Sequence, residues 1–331
     1  MRRFEIVDLP REQSRKIHKK KIPLGGGLAI FVSFFVVVAI ALFVFDNFGI
    51  DVERRHILGL FIGGLILMIG GLLDDKYNFK ARQQILFPIL ATLIIIAFGI
   101  GPHEITNPAG GVFRLDRWII PIDGIGNWVV LADILVFFWL MGMMFTTKLL
   151  DGLDGLVAGL VSIGALMIFF LSTQTQWYQP EVGLLAIIFA GAVLGFLVWN
   201  SYPAKIFLGE GGSLFTGFML GSLAIISGSK IATTLLVVAI PMLDMGRVMI
   251  LRIKNKKSIF VGDSEHLHFK LLHSGLSQRQ AVLFFYTIAL LFGVTTLFLQ
   301  SSEKVIALLF LFVLMLLVGF WFGKHKYGDD K

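Results

Sequence analysis

Ten stretches of this sequence are long and apolar enough to span a bilayer, and a chain that must place ten such segments has few folds open to it. A helix needs about 20 apolar residues to cross the hydrocarbon core. The stretches fall near 28–45, 57–73, 84–100, 128–147, 153–172, 183–199, 213–227, 231–250, 280–299 and 304–322. Only 15% of the 331 residues are charged, against about 25% in a soluble domain. Several segments carry Gly or Pro, which membrane helices tolerate. The sequence therefore predicts an all-α polytopic membrane protein with about ten transmembrane helices. A basic arm occupies 1–27, a single transmembrane domain 28–323 and a tail 324–331.

The net charge of +7 is a topology signal and not a nucleic-acid footprint. With the arm placed inside, only Arg54, Arg55, Arg114, Arg117, Lys230 and Lys304 of the 29 basic residues fall outside. Lys/Arg bias in short loops sets orientation, so both termini are expected in the cytoplasm, with the cell's inner membrane as the location. The arm lacks the apolar run and small-residue cleavage site of a signal peptide, so the mature helices are expected to direct insertion. Cysteine is absent, which excludes disulfides and thiolate metal sites. The longest outer loop, 101–127, combines a turn at Asn107-Pro108-Ala109-Gly110-Gly111 with an alternating stretch from Val112 to Ile122, predicting a small outer β-hairpin.

Acidic residues at membrane helix ends are costly unless they face water, a metal or a partner. The inner side holds a suggestive set of them. Asp74 and Asp75 end the second segment, Asp151 and Asp154 lie between the fourth and fifth, and Glu210 precedes the seventh. Asp244 lies in the eighth, and Asp263, Glu265, His266 and His268 occupy the loop that follows. Hard cations such as Mg²⁺, with Mn²⁺ as a substitute, take carboxylates together with substrate phosphates and waters. Asp151 and Asp154 would share one face if their stretch were helical, and the glycines of LLDGLDGLVAG permit close backbone approach by a ligand. Each motif alone has an ordinary reading: a hydrated helix end for Asp74-Asp75, a turn for Gly209-Glu210-Gly211-Gly212, a helix entry for Pro23-Leu24-Gly25-Gly26-Gly27, two solvated imidazoles in a polar loop. Independent decoration has no reason to collect on one membrane face.

In their order, these motifs resemble the polyprenyl-phosphate N-acetylhexosamine-1-phosphate transferases. Lys16-Ile17-His18 running into IPLGGGLAIF resembles that family's first cytoplasmic motif, and LLDDKYNFKARQ its Asp-Asp motif. LLDGLDGLVAG is similar to its Asp-Gly-x-Asp-Gly motif, and AKIFLGEGGSLFTG to its Gly-Asp-x-Gly-Ser motif. PMLDMGRVMILR with SIFVGDSEHLHFKLL resembles its last cytoplasmic loop, a D-x-x-H-x-H arrangement. The likeness covers roughly residues 7 to 277. Three departures stand out. Members commonly carry Asn three and six residues before the first Asp of Asp-Gly-x-Asp-Gly, where this chain has Lys148 and Phe145. Glu210 stands where the family has a metal-ligating Asp. Many members carry a further helix before the basic arm.

The resemblance implies a Mg²⁺-dependent enzyme that moves a sugar-1-phosphate from a UDP-N-acetylhexosamine to undecaprenyl phosphate, releasing UMP and initiating a cell-envelope polysaccharide. It implies Glu210 with Asp154 or Asp151 at the metal, and Asp74 and Asp75 at the lipid phosphate, one of them a candidate proton acceptor with positioning as an equal contender. It places His266 and His268 on the donor diphosphate or sugar. Lys148, Lys205 and Arg247 would offset phosphate charge, with Asp244 and Asp263 in the substrate-binding set. The two His of D-x-x-H-x-H resemble the branch using UDP-N-acetylglucosamine, whereas the muramoyl-pentapeptide branch carries a longer histidine run. A homodimer is implied by family membership alone. From other classes, a transporter would place ionisable groups near the midplane, often with internal repeats, and an inactive scaffold would fit the residues at 145, 148 and 210.

Overall fold

The computed structural model describes residues 7–8, 21–44, 49, 51–102, 104–107, 111–115, 119–122, 126–228, 230–256, 266–299 and 301–325. Among the described residues twelve α-helices carry the fold: α1 (Gly26–Val44), α2 (Arg54–Tyr77), α3 (Ala81–Gln84), α4 (Leu86–Ala97), α5 (Val130–Leu150), α6 (Leu156–Thr173), α7 (Pro180–Asn200), α8 (Gly209–Ile226), α9 (Ile231–Lys254), α10 (Leu267–His273), α11 (Gln278–Thr295) and α12 (Ser301–His325). Among the described residues, α1, α2, α5, α6, α7, α8, α9 and α11 are each long and apolar enough to cross a membrane. The chain is a multi-pass, all-α membrane protein. The ten expected segments all form helices, but the third is shorter than a span and is broken at Ile85 into α3 and α4.

Local sequence sets the helix ends. Pro180 opens α7 from its first turn, where a missing N–H costs nothing. Ser277 caps α11 and exchanges hydrogen bonds with Gln280 in a capping box. Asn78 closes α2 in the left-handed region at φ 50°, a conformation that its short amide tolerates.

The bundle is built around α6 and α8, whose spans are 78% and 89% buried, against 33% for α1 and 28% for α11. Glycines let backbones meet here. A Cβ at Gly27 would stand 2.1 Å from the Gly212 Cα, and one at Gly71 would stand 2.0 Å from the Gly211 amide nitrogen. Without hydrophobic drive between helices in lipid, such close packing is a main source of association. Phe31, Phe35, Phe189 and Phe215 then fill the space between α1, α7 and α8 with edge and tilted ring contacts. Large apolar side chains such as Phe43, Phe138 and Val198 face outward, as expected where lipid is the solvent.

At the end of the bundle opposite the acidic motifs, the long loop folds as two hairpins where one was expected. Strands Glu104–Thr106 and Val112–Arg114 pair antiparallel, as do Ile119–Ile122 and Gly126–Val129. The stretch from Val112 to Ile122 that the alternation pattern reads as one run is divided between Val112–Arg114 and Ile119–Ile122, which pair with different strands.

Candidate active site

A backbone seam organises the end of the bundle that carries the acidic motifs. The segment before α1 pairs with the segment before α8: Phe207 N–H donates to the Pro23 carbonyl at 3.0 Å, Gly26 N–H to Phe207 at 2.9 Å and Gly27 N–H to Leu208 at 3.0 Å. The glycine run after Pro23 is thus a docking strip that fixes where α8 begins. Gly209 follows in the left-handed region at φ +77°, turning the chain so that Glu210 enters the site.

The Asp pair divides its work. Asp74 is buried and accepts hydrogen bonds from Phe79 N–H at 2.7 Å and from the Gln84 amide on both oxygens at 3.1 Å. These bonds tie the end of α2 to α3. Asp75 instead reaches α8, accepting from the Glu210 backbone N–H at 3.1 Å.

The Asp151–Gly155 stretch is a succession of turns rather than helix, so the condition under which Asp151 and Asp154 would share a helical face is not met. Each glycine at a turn releases the chain from the α5 axis. The Asp154 carboxylate accepts from Ala204 N–H at 2.9 Å. Gly155, at φ +81°, donates to Asn200 Oδ1 at 3.0 Å, while Asn200 Nδ2 donates to the Ile206 carbonyl at 2.9 Å. Tyr286 OH donates to the Gly155 carbonyl at 2.6 Å. Asp151 keeps solvent-accessible surface although protein surrounds it, which places it on a cleft wall. Desolvation, then the negative charges of Glu210, Asp75 and Asp154, push its carboxyl up to about 7.

Glu210 is met by a cation from its own chain. Lys148, at the end of α5, forms an ion pair with Glu210 Oε1 and donates to Gln84 Oε1 at 3.0 Å. Gln84 thereby connects Lys148 with Asp74, and four elements, α2, α3, α5 and α8, share one polar network.

The loop motif with two imidazoles is not the solvated segment that its polarity suggests. His266 and His268 are buried, with rings stacked at 5.7 Å and 6°. Asp244 on α9 accepts from Arg247 at 2.7 Å, from Leu267 N–H at 2.9 Å and from His266 Nδ1 at 3.1 Å. Since an ionised carboxylate only accepts, His266 Nδ1 carries its proton. His268 Nε2 points at Gly152: a Cβ there would stand 2.8 Å from it. Burial, reinforced by His266, pushes His268 down to about 3 and keeps its ring neutral. Lys205 lies over the Trp199 ring at 5.0 Å and is exposed at the rim. Asp263 lies outside the described residues.

The structure therefore collects Asp74, Asp75, Lys148, Asp151, Asp154 and Glu210 at one end of the bundle and brings the Asp244–His266–His268 unit against them through Gly152. Gln84 and Asn200 were not among the residues singled out from sequence. Each is an amide at the edge of an apolar run, Gln84 next to Gln83 and Asn200 alone, and that position was the available signal. Among the described residues, no three His, Asp or Glu side chains are drawn together as a metal cage. The donor set nevertheless fits a hard cation that keeps its waters: it is all oxygen, and the like charges around Asp151 are what a cation would relieve.

The pattern of glycosyl transferase family 4 matches residues 57–228. The chain is similar to a probable undecaprenyl-phosphate N-acetylglucosaminyl 1-phosphate transferase of Bacillus subtilis, 31% identical over 316 residues that cover 94% of this chain and 82% of the relative. It is similar to a decaprenyl-phosphate N-acetylglucosaminephosphotransferase of Mycobacterium tuberculosis, 30% identical with 86% and 73% covered. A phospho-N-acetylmuramoyl-pentapeptide-transferase of Halalkalibacterium halodurans is 31% identical, with 91% and 90% covered. The chain belongs to glycosyl transferase family 4.

Proposed function

We propose that this protein transfers N-acetylhexosamine-1-phosphate, with N-acetylglucosamine-1-phosphate the first choice, from its UDP-sugar to undecaprenyl phosphate at the cytoplasmic face of the cell membrane. The observation that carries the reading is the gathering of Asp75, Asp151, Asp154 and Glu210 from three separate chain segments at one end of the bundle, where desolvation and then the charges of the other three raise Asp151 to about 7. The relatives, named for transfer to undecaprenyl or decaprenyl phosphate, support the class of reaction. The cytoplasmic placement is supported by Lys76, Lys80, Arg82, Arg252, Lys254, Lys270 and Arg279, which share the site's end of the bundle.

In this reaction an oxygen of the lipid phosphate attacks the sugar-linked phosphorus, the bond to UMP breaks, and one phosphoanhydride replaces another. Bound Mg²⁺, held by Glu210 with Asp151 or Asp154, would neutralise the charge that accumulates when two anions meet. The rest falls to the chain's own groups. Asp75 is the member of the pair directed at α8 and is the better candidate to receive or orient the lipid phosphate proton. Asp74, engaged by Phe79 and Gln84, positions that turn. Asp244 fixes the His266 ring and the start of α10, which holds His268 neutral against Gly152 as a hydrogen-bonding surface for the donor.

Relatives of both donor branches have the same identity to this chain, so identity does not choose between them. The short His266-x-His268 pattern favours UDP-N-acetylglucosamine. A panel of labelled UDP-N-acetylglucosamine, UDP-N-acetylgalactosamine and UDP-N-acetylmuramoyl-pentapeptide, each offered with undecaprenyl phosphate, tests this. Label in the lipid fraction is expected from the first, and transfer from the pentapeptide donor alone would overturn the assignment.

A further inference from the structure

The two departures at 148 and 210 are in contact. Lys148 stands where the resembling family commonly has Asn, Glu210 stands where it has Asp, and their side chains form an ion pair at the centre of the acidic cluster. The pair is shielded, with side chains 21% and 16% exposed, so screening by salt does little to weaken it. Its geometry is anchored on the lysine side by Gln84, which accepts from Lys148 at 3.0 Å and turns its amide nitrogen to Asp74. Neither change makes sense alone. A lysine at 148 without a carboxylate partner would be a desolvated charge, and Glu210 is one methylene longer than Asp, which extends its reach toward the ammonium.

The arrangement has a consequence for cation binding, and the inference rests on the placement of the cation at Glu210 made above. A divalent cation approaching Glu210 meets a lysine already there. It must either displace the ammonium or tolerate its repulsion. Displacement is mechanically easy, because lysine is a point charge on a flexible four-carbon stem with rotatable donors. The cleft is also where the donor's diphosphate would have to lie, so a displaced ammonium has an anion to move to.

We propose that Lys148 is an exchangeable counter-ion: it neutralises Glu210 before the cation binds, then swings onto a donor phosphate oxygen when the cation takes that carboxylate. Gln84 is the positioning residue about which the stem turns. Cation and donor binding are thereby coupled, since the ammonium that leaves Glu210 is stabilised only when phosphate is present. A lysine that merely braced the fold would create no such coupling.

The test uses the full chain in detergent with Mn²⁺ as the probe, its binding read from the loss of the free-ion paramagnetic resonance signal. Without donor, Lys148→Met and Lys148→Asn are expected to bind Mn²⁺ about tenfold more tightly than the parent, because cation binding no longer breaks a shielded pair. Lys148→Arg, which keeps the charge, should stay within about twofold of the parent by the same argument. The Met and Asn variants should also need about fivefold more UDP-N-acetylglucosamine for half-maximal turnover, having lost a phosphate contact. Two neutral variants of different size guard against misfolding in either, and each is scored only after it elutes and unfolds as the parent does. Mn²⁺ binding in both neutral variants that is equal to or weaker than the parent's overturns the exchange. Failure of the parent itself to bind Mn²⁺ while turning over would instead sink the cation site, and the exchange with it.

Discussion

The Asp75 carboxylate accepts a hydrogen bond from the Glu210 backbone amide at 3.1 Å, so the last turn of α2 holds the first turn of α8 in place. The contact passes beside Gly209, where a Cβ would lie 2.6 Å from Asp75 Oδ2 and where φ is +77°. Gly209→Ala therefore combines a left-handed backbone penalty with displacement of Asp75. The expected result is a loss of about 1–3 kcal/mol in stability and a fall of at least about tenfold in turnover, read by thermal unfolding in detergent and by the lipid-labelling assay. Parent-like turnover would show that the Asp75–Glu210 contact is dispensable.

His268 makes stability depend on pH. Its ordinary value of 6.5 is pushed down to about 3 by burial and by His266. Between those two values the unfolded chain binds a proton that the folded chain does not, so stability falls as pH drops from 6.5 toward 3. Unfolding temperature should decline from pH 7 to pH 5, and the decline should be shallower in His268→Gln. Identical slopes for the two proteins would remove His268 from this role.

Asp244 serves three donors at once. Asp244→Asn cannot accept from Arg247, His266 and Leu267 as an ionised carboxylate does, and it leaves the arginine's charge facing a neutral group. Because Asp244 is 4% exposed, the expected cost is about 3 kcal/mol. Turnover should fall with it as α10 shifts. The check is the unfolding temperature together with the rate, and an unchanged protein on both counts would contradict the positioning role.

The Asp pair is separable by its pH behaviour. Asp74→Asn removes an acceptor that braces the α2–α3 turn, so the rate should drop while the pH–rate profile keeps its shape. Asp75→Asn should alter the profile, since that residue is the candidate proton acceptor. Profiles that change in the opposite sense would exchange the two assignments.

The helices were legible because a bilayer imposes one requirement, about 20 apolar residues, that hydropathy reads directly. The candidate site residues could be singled out because acidic groups at membrane helix ends are rare without a reason. Their contacts were not legible. The pairing of Lys148 with Glu210 depends on how α5 and α8 pack, which is set by glycine-mediated backbone approach and not by local pattern. The turn at Asp151–Gly155 was read as conditional helix because i, i+3 spacing says nothing about whether glycine has ended it. Gln84 was the first residue of a run that looked like one membrane segment, whereas the chain breaks at Ile85 and leaves Gln84 facing Asp74 and Lys148. His266 and His268 were placed in a polar loop because their burial comes from Asp244 on a different helix.

The central claim is that these gathered groups form one cation-dependent site for phosphoryl transfer. The most direct measurement is the stoichiometry of the reaction by the purified chain with Mg²⁺, undecaprenyl phosphate and UDP-N-acetylglucosamine labelled in the sugar. The account predicts one UMP released for each label entering the lipid, with both lost on chelation and restored by added Mg²⁺. Absence of UMP and of lipid-linked label with every UDP-N-acetylhexosamine, beside a working control enzyme, would contradict it.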